Sequence, residues 1–209
     1  MARYRGPKCR LCRREGVALF LKGDKCFTEK CPVNKRKTPP GMHGDQGNKK
    51  VSDYGVRLRE KQKARRIYGV LEKQFSAYFD RATRMPGLPG ENLLQLLERR
   101  LDNVVFRMGF GQSRDQARQV VCHGLVMVDG RRVNIPSYLV KPGQSIEIKN
   151  SKRDAGVIVQ NAQDGRARGR QAWMESGTDS YSTRIVSVPA RTDIDTKIEE
   201  QLIVEYYSR

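Results

Sequence analysis

The most regular pattern of apolar positions lies between residues 91 and 136. Its first part repeats apolar side chains every three or four residues, which predicts a helix with one buried face. These positions are Leu93, Leu94, Leu97, Leu101, Val104, Val105 and Met108. Further on, Ser113 lies three residues before Gln116, and this capping-box pair predicts the start of a second helix. The buried stripe of that helix would be Ala117, Val120 and Val121.

A hairpin is predicted to follow the second helix. Gly124 can supply the left-handed residue that ends the helix. Residues 125–128 have the pattern of a strand, and Asp129-Gly130 is a pair typical of a tight hairpin turn. The return strand is expected over residues 131–134.

Shorter patterns flank this helix–hairpin unit. Ser52 or Asp53 can cap a helix that continues to about residue 67, and a sparse apolar stripe supports another helix over 70–83. On the C-terminal side the sequence predicts strands over 137–140, 145–148 and 184–189, a short helix over 155–161, and a strand-like end around Val204 and Tyr206. Trp173, in a Gly/Arg/Ser-rich stretch, is expected to pack on a core or to stack on a base.

Length and charge narrow the class of protein. The chain has 209 residues, enough for one or two domains with a real core. It contains 41 Lys and Arg against 23 Asp and Glu, and the net charge of +18 predicts a polyanionic partner, nucleic acid before an anionic membrane. Residues 1–66 hold 20 of the basic residues and 6 of the acids. Because the sequence shows no bilayer-length apolar run and no apolar signal segment, we expect a cytoplasmic protein.

Basic side chains are concentrated in segments that are poor in acids, as in phosphate-binding surfaces. Over residues 53–66, six cations accompany only Asp53 and Glu60, which argues against a salt-bridged surface and leaves a solvated helix face as the alternative. Arg114 and Arg118 are four residues apart and should share a helix face near the hairpin arginines. The candidate RNA-binding residues are Arg3, Arg5, Lys8, Arg10, Arg13, Arg14, Lys35, Arg36, Lys37, His43, Lys49, Lys50, Arg57, Arg59, Lys61, Lys63, Arg65, Arg66, Tyr68, Arg100, Ser113, Arg114, Arg118, His123, Arg131 and Arg132.

Four of the five cysteines have the spacing C-x2-C-x13-C-x4-C, namely Cys9, Cys12, Cys26 and Cys31. In a basic cytosolic chain this spacing predicts a four-thiolate site for one Zn2+ rather than a disulfide frame. An iron–sulfur cluster on the same sulfurs and free thiols are the alternatives. The arginines at 10, 13 and 14 would help to keep the sulfurs ionised. Cys122, beside the apolar stripe of the second helix, is expected to be a small buried hydrophobe.

Residues 1–50 contain few large apolar side chains, chiefly Leu19, Phe20, Leu21 and Phe27. A metal would therefore supply folding free energy that burial cannot. Residues 32–50 are rich in Pro, Gly and Lys and predict an extended arm that orders on RNA, with a flexible linker as the alternative. His43 in this arm is expected to contact RNA or solvent rather than to serve as a further metal ligand.

The helix–hairpin unit closely resembles the small RNA-binding module named after ribosomal small-subunit protein four. The similar stretches are RLDNVV at 100–105, Gly109-Phe110, S-R-x-x-A-R at 113–118, His123-Gly124 and V-D-G-R at 128–131. Beyond the module, the chain resembles the bacterial ribosomal small-subunit protein four family over nearly its full length, and its cysteines resemble the zinc-bearing branch. The further stretches are MARYRGP at 1–7, PPGMHG at 39–44, VSDYGVRLREKQKARRIYGV at 51–70 and EQLIVEYYSR at 200–209.

These patterns and the resemblance imply an α+β chain. It would have an N-terminal metal knuckle and a mostly helical domain, with an inserted α-α-β RNA-binding module that carries a small twisted antiparallel sheet. We expect residues 1–50 to form the basic extension with knuckle and arm, 51–97 plus 185–209 the helical body, and 98–160 the module. The placement of residues 161–184 is left open.

The resemblance also implies a function. Members of the family bind 16S ribosomal RNA at a multi-helix junction of its 5′ domain and nucleate assembly of the small subunit. They touch neighbouring small-subunit proteins, notably protein five, and lie near the mRNA entry tunnel, where they contribute to translational accuracy. A cytoplasmic, non-enzymatic protein of the small ribosomal subunit is therefore expected, with no membrane partner and no homo-oligomer.

Two other classes of protein are compatible with the module alone. An RNA-modifying enzyme would need a further catalytic domain, whereas the flanks here are a basic tail and short strands. The sequence also lacks a nucleotide-binding Gly loop and a metalloprotease motif, and its two histidines, His43 and His123, leave few acid–base options. A stand-alone zinc-knuckle RNA chaperone would bind many unrelated RNAs with similar affinity.

Overall fold

The computed structural model describes residues 3–36, 38–42, 44, 51–153, 156–166, 171–177 and 181–208. The chain divides into two compact units. The helical unit comprises Met1–Gly90 with Thr196–Arg209, and the mixed unit comprises Glu91–Asp195. Both helices and an antiparallel sheet are present, which confirms the α+β class.

The helices follow the predicted order along most of the chain. They are α1 (Lys8–Glu15), α2 (Pro32–Lys35), α3 (Asp53–Ile67), α4 (Glu72–Thr83), α5 (Pro89–Glu98), α6 (Leu101–Arg107), α7 (Arg114–Cys122), α8 (Gly156–Arg166) and α9 (Glu200–Tyr207). A short 3-10 helix, Gly23–Cys26, lies between α1 and α2. Of the two predicted caps, Ser52 is the one that caps α3, because its Oγ accepts a hydrogen bond from the Gly55 amide over 3.2 Å. Of the described helices, none combines the length and the apolar character needed to cross a bilayer.

The predicted strand-like C-terminal end is wrong, since Glu200–Tyr207 is helix α9. α9 packs against α3 in the helical unit. Ile203 is fully buried, and the Tyr207 ring stacks on Phe79 with 4.4 Å between ring centroids. The β-branched and aromatic residues of this stretch favour a strand locally, but their three-to-four spacing gives α9 a buried face.

The single helix predicted from Leu93 to Met108 is two helices, α5 and α6. Arg100 is in an extended conformation between them and bridges to Leu139. The Leu101 amide donates to the Tyr138 carbonyl over 2.8 Å, so the chain leaves the helix to pair with residues 138–140. Apolar spacing continues across this break, and the sequence pattern therefore did not show it.

The start and end of α7 confirm the predicted signals. Ser113 Oγ accepts a hydrogen bond from the Gln116 amide over 3.3 Å. Gln116 Oε1 accepts a hydrogen bond from the Gln112 amide over 2.7 Å. In a full capping box it would accept from the amide of the N-cap residue itself, Ser113. Gly124 has φ +66 and follows the helix, which is the left-handed conformation expected of it.

The mixed unit contains a five-stranded antiparallel sheet with the order β2-β1-β3-β5-β4. Its strands are β1 (Val126–Val128), β2 (Arg131–Arg132), β3 (Ser145–Ile148), β4 (Met174–Ser176) and β5 (Ser182–Ile185). Asp129 and Gly130 both have positive φ, 49° and 75°, so the predicted tight turn joins β1 to β2. Residues 137–140 form only the bridge at Leu139, not the predicted strand.

Residues after 160 extend the predicted module. β5 pairs with β3 through Ile146 and Thr183, which places this stretch in the sheet. Residues 185–195 accordingly belong to the mixed unit, not to the helical body as predicted. α8 also reaches Arg166, five residues beyond the predicted end.

The core of the mixed unit lies where α6, α7 and α8 meet the sheet. Val105, Val121 and Ile146 are fully buried there. Trp173 is 1% exposed and belongs to the same cluster, so it packs in the core and cannot stack on a base. Cys122 is exposed, which overturns its prediction as a buried hydrophobe.

Candidate nucleic-acid interface and cysteine cluster

A basic cleft lies in the N-terminal part of the helical unit. Its walls are the start of α1, α2 and residues 40–41. Among the described lining residues there is no acid. Four cations line the cleft, namely Arg10, Arg13, Lys35 and Arg36. Concentrated positive charge on a concave surface is the arrangement that attracts phosphates.

Arg13 also holds the chain that follows α2. Its guanidinium donates to the carbonyl oxygens of Thr38 and Pro39, over 3.0 and 3.3 Å. This part of the arm therefore rests on α1 in the free protein, whereas the sequence predicted that the arm orders only on RNA. Lys37, His43, Lys49 and Lys50, the other arm candidates, lie outside the described residues.

The four predicted metal ligands, Cys9, Cys12, Cys26 and Cys31, line one small cavity. The cavity lies between α1, the 3-10 helix and the start of α2. All four are free thiols, and Cys12 and Cys31 are buried. The Lys22 amide donates to the Cys26 sulfur over 3.3 Å. The fold thus brings together residues that are up to 22 positions apart in sequence.

The pKa values of two of these thiols, Cys12 and Cys26, are raised. Burial raises the pKa of Cys12, and the three neighbouring cysteine sulfurs raise it further. Burial raises the pKa of Cys26 as well, against the Lys22 amide, which lowers it. The flanking arginines were expected to keep the sulfurs ionised, whereas the pKa is raised at these two positions. A bound cation would be needed to hold these thiols as thiolates.

The four thiols are not arranged with the geometry of a metal site. Among the described residues, no group of three or more His, Cys, Asp or Glu is arranged so that it could hold a metal ion. Thiol donors facing one cavity fit a tetrahedral zinc ion in chemistry and number. The sulfurs would have to converge and lose their protons on binding, which is usual for structural zinc.

The cations of α3 are ion-paired, contrary to prediction. Arg57 pairs with Glu205, Arg59 and Arg66 with Glu15, Lys61 and Arg65 with Glu72, and Lys63 with Glu60. Three of these four acids come from α1, α4 and α9, so counting acids within residues 53–66 missed them. α3 is therefore a scaffold helix that binds three other helices, and its charge is largely neutralised.

Lys61 shows this role most clearly. It is 3% exposed, its ammonium lies 2.6 Å from Glu72 Oε1, and it lies over the Tyr206 ring at 4.4 Å from the centroid. Burial would raise the pKa of Glu72, but the Lys61 ammonium and the Tyr207 hydroxyl hold it below its ordinary value. Lys61 therefore cannot contact RNA, and its assignment as an RNA-binding residue is wrong.

Glu15 joins α1 to α3. Its side chain is 2% exposed and accepts hydrogen bonds from Arg59 and Arg66. Burial raises the pKa of Glu15 in spite of these two arginines. The helix that carries Cys9 and Cys12 is thus fastened to α3 by a buried carboxylate.

Two of the predicted RNA contacts in the mixed unit are buried. Arg118 is 5% exposed and donates to Asp102 Oδ2 over 2.9 Å. Arg100 is fully buried and forms a bidentate pair with the same carboxylate, over 3.0 and 2.7 Å. Arg114 and Arg118 do share one face of α7, and both contact side chains of α6. These side chains hold α6 to α7 and do not face RNA.

Arg114 is half-buried. Its Nε donates to Asn103 Oδ1 over 2.8 Å, and its guanidinium lies over the Phe106 ring. Asn103 in turn donates to Glu98. The polar residues of the RLDN stretch therefore form an internal network, which sequence spacing alone could not distinguish from a phosphate-binding surface.

The hairpin keeps its predicted cations on the surface. Arg131 and Arg132 are exposed on β2, an edge strand of the sheet. Arg132 donates to the His123 carbonyl over 3.4 Å and lies against Gly124, where a β-carbon would collide with its guanidinium. His123 itself is exposed at the end of α7. Arg131 and Arg132 form the hairpin cation group, and His123 lies next to it.

The remaining candidates divide between surface and structural positions. Arg3, Arg5 and Arg14 are exposed, and Lys8 donates to the Tyr4 carbonyl over 3.2 Å. Tyr68 is 3% exposed with its hydroxyl 3.3 Å from Thr196 Oγ1, so it is not an RNA contact. The Ser113 hydroxyl caps α7 instead of facing a phosphate.

Exposed basic groups on a cleft and on a hairpin are features of a protein that binds nucleic acid. Residues 3–98 match the model of the ribosomal protein S4/S9 N-terminal domain, and residues 99–146 match that of the S4 domain. The chain is 56% identical to the small ribosomal subunit protein uS4 of Pelotomaculum thermopropionicum and 53% identical to that of Thermodesulfovibrio yellowstonii, each over 209 residues and the full length of both chains. The chain belongs to the small ribosomal subunit protein uS4 family.

Proposed function

We propose that this chain is a structural protein of the small ribosomal subunit that binds 16S ribosomal RNA and catalyses no reaction. The observation that carries the proposal is the full-length identity of more than 50% to proteins named small ribosomal subunit protein uS4. The net charge of +18 and the exposed basic groups supply the attraction that such a role needs. The proposed location is the small subunit in the cytoplasm.

The basic cleft and the hairpin cation group carry the RNA contacts in this proposal. Arg10, Lys35 and Arg36 are exposed in the cleft, and Arg131 and Arg132 are exposed on the hairpin. A-form RNA hides its base edges in a narrow major groove, so the shape and spacing of phosphates should dominate recognition. A site of this kind suits a junction of several helices in the 16S 5′ domain.

The partners proposed beyond 16S RNA follow from the family resemblance. They are the neighbouring small-subunit proteins, notably protein five, and mRNA near the entry tunnel, with a contribution to assembly and to translational accuracy. An RNA-modifying activity is not proposed, because the family is one of structural proteins.

One Zn2+ held by Cys9, Cys12, Cys26 and Cys31 is part of the proposal. The support for it is that four free thiols line one cavity in a segment with few large buried side chains. Bound metal would supply folding free energy to this segment and so fix the walls of the basic cleft. An iron–sulfur cluster is the alternative occupant of the same sulfurs.

The test is a filter-binding titration against the 16S 5′ domain and an equally long structured control RNA at 50 and 200 mM salt. If the protein contacts on the order of ten phosphates, raising the salt from 50 to 200 mM should lower its affinity about 10³- to 10⁵-fold. We expect binding to the 5′ domain to persist at the higher salt while control binding is lost. Equal affinity for both RNAs would favour a general RNA chaperone and contradict the proposal.

A further inference from the structure

Two of the few large apolar side chains in residues 1–50, Phe20 and Phe27, lie on the surface. Phe20 is 44% exposed and Phe27 is 70% exposed. Their rings stack on each other with 4.9 Å between centroids and 26° between planes. Val17, 43% exposed, is the other large apolar side chain at the surface of this loop.

The loop holds both rings outward by its backbone. Phe20 has φ +51, a left-handed conformation that bulky side chains rarely adopt. Its neighbour Leu19 is 3% exposed, so the chain turns sharply between a buried and an exposed residue. Phe27 directly follows Cys26, and its amide donates to the Asp24 carbonyl at the end of the 3-10 helix. Both rings therefore lie on the segment between α1 and α2 that also carries Cys26.

We propose that Phe20 and Phe27 form a stacking platform for one unpaired nucleobase of the bound RNA. This inference rests on the proposed function, in which the chain binds 16S RNA. Phe20 covers one face of the Phe27 ring, and the high exposure of Phe27 leaves the opposite face open to a base. The base would continue the existing two-ring stack.

Size and charge favour a base over a protein side chain. A stable protein interface buries about 800 Å² on each partner, far more than two rings and one valine present. One nucleobase, in contrast, covers a single ring face. The exposed charged residues between positions 20 and 30 are Lys22, Lys25 and Lys30 against Asp24 and Glu29. This small positive excess suits the phosphates that flank an unpaired base.

Replacing Phe27 by alanine in the full chain tests the platform. Affinity for the 16S 5′ domain should fall about 5- to 150-fold, the range found for removal of one base–aromatic stack. The salt slope of binding should stay at the wild-type value, because stacking releases no counterions. Phe27→Tyr keeps the ring and should bind like the wild type. Leu88→Ala, at a 65% exposed position in the same unit, is the matched control and should also bind like the wild type.

Phe27→Trp supplies a second readout that does not depend on affinity. The natural Trp173 is buried in the mixed unit and gives a constant background. The fluorescence of the new tryptophan should be quenched when RNA binds, and unchanged fluorescence in a complex that forms normally would overturn the platform. Wild-type affinity of Phe27→Ala would also overturn it, and would indicate a protein contact if that variant then fails to enter small subunits. If the wild type itself does not prefer the 5′ domain, it is the proposed function that fails.

Discussion

Arg118 donates a hydrogen bond over 2.9 Å to the carboxylate of Asp102, and both side chains are buried. The same carboxylate holds Arg100 through two further hydrogen bonds. The segment that most resembles a phosphate-binding element is therefore partly an internal ion-pair network that fixes α6 against α7. This finding separates residues that build the module from residues that face RNA.

Arg118→Met is expected to destabilise the protein and to leave the salt slope of RNA binding unchanged. Breaking a buried ion pair costs about 3–5 kcal/mol, and because Asp102 keeps Arg100 we expect about 3 kcal/mol. Urea unfolding measures the loss. The matched control is Arg131→Met, exposed on β2, which should unfold like the wild type but reduce the salt slope. A stable Arg118→Met protein with a reduced slope would place Arg118 on the RNA.

For the basic cleft we predict the reverse of the Arg118 result, namely a change in the salt slope of RNA binding without a change in stability. Arg10→Ala combined with Arg36→Ala should weaken binding to the 5′ domain and reduce the salt slope by about 0.7–0.9 for each phosphate that the variant no longer neutralises. Unfolding should be unaffected, because both side chains are exposed. Lys73→Ala, an exposed cation on α4, is the control and should retain the wild-type slope. If the cleft variant keeps the wild-type slope, these arginines do not contact phosphate.

The proposed four-thiolate site is tested by thiol reactivity in protein purified in the presence of Zn2+. Cys122 is exposed and should react with iodoacetamide at once, whereas the other four cysteines should react only after a chelator is added. Metal content should be about one Zn2+ per chain. Immediate reaction of all five thiols in metal-replete protein would rule out the four-thiolate site.

Replacing Cys9 and Cys12 by serine tests what the metal supports. The variant should bind no zinc, and its N-terminal segment should become sensitive to protease, because burial alone is insufficient there. The mixed unit should keep its protease resistance, since it has its own core. An N-terminal segment as resistant as that of the wild type would show that its fold does not need the metal.

Glu72 predicts how stability depends on pH. Burial tends to raise the pKa of this carboxyl, but Lys61 and Tyr207 hold it below its ordinary value near 4.5. Its stabilising contribution is therefore present above pH 4.5 and is lost as the pH falls through the lowered pKa of the folded state. Urea unfolding at pH 6 and pH 3 should show a smaller drop for Glu72→Gln than for the wild type. An identical drop in both proteins would contradict the Lys61–Glu72 assignment.

Local signals explain why much of the fold followed from the sequence. The caps at Ser52 and Ser113, the Asp129-Gly130 turn and the short strand at 145–148 depend on neighbours within a few residues, and all of them are confirmed. The errors arise where distant residues decide the outcome. α9 is a helix because it packs on α3, although its own residues favour a strand.

The candidate site shows the same limit. Four cysteines facing one cavity could be anticipated from their spacing alone. The neutralisation of the α3 cations could not be anticipated in this way, because Glu15 and Glu205 lie far from α3 in sequence. Likewise, a four-residue spacing puts Arg114 and Arg118 on one face, but only the packing of α6 decides which of them remains accessible.

Hydroxyl-radical footprinting of the 16S 5′ domain shows directly where the chain contacts this RNA. With the wild-type chain, we predict protected nucleotides grouped where several RNA helices meet. The Arg10→Ala, Arg36→Ala variant should lose one part of this footprint and keep the part due to the mixed unit. Scattered protection that also occurs on the control RNA, or no protection, would contradict the account of this chain as a 16S-binding protein of the small subunit.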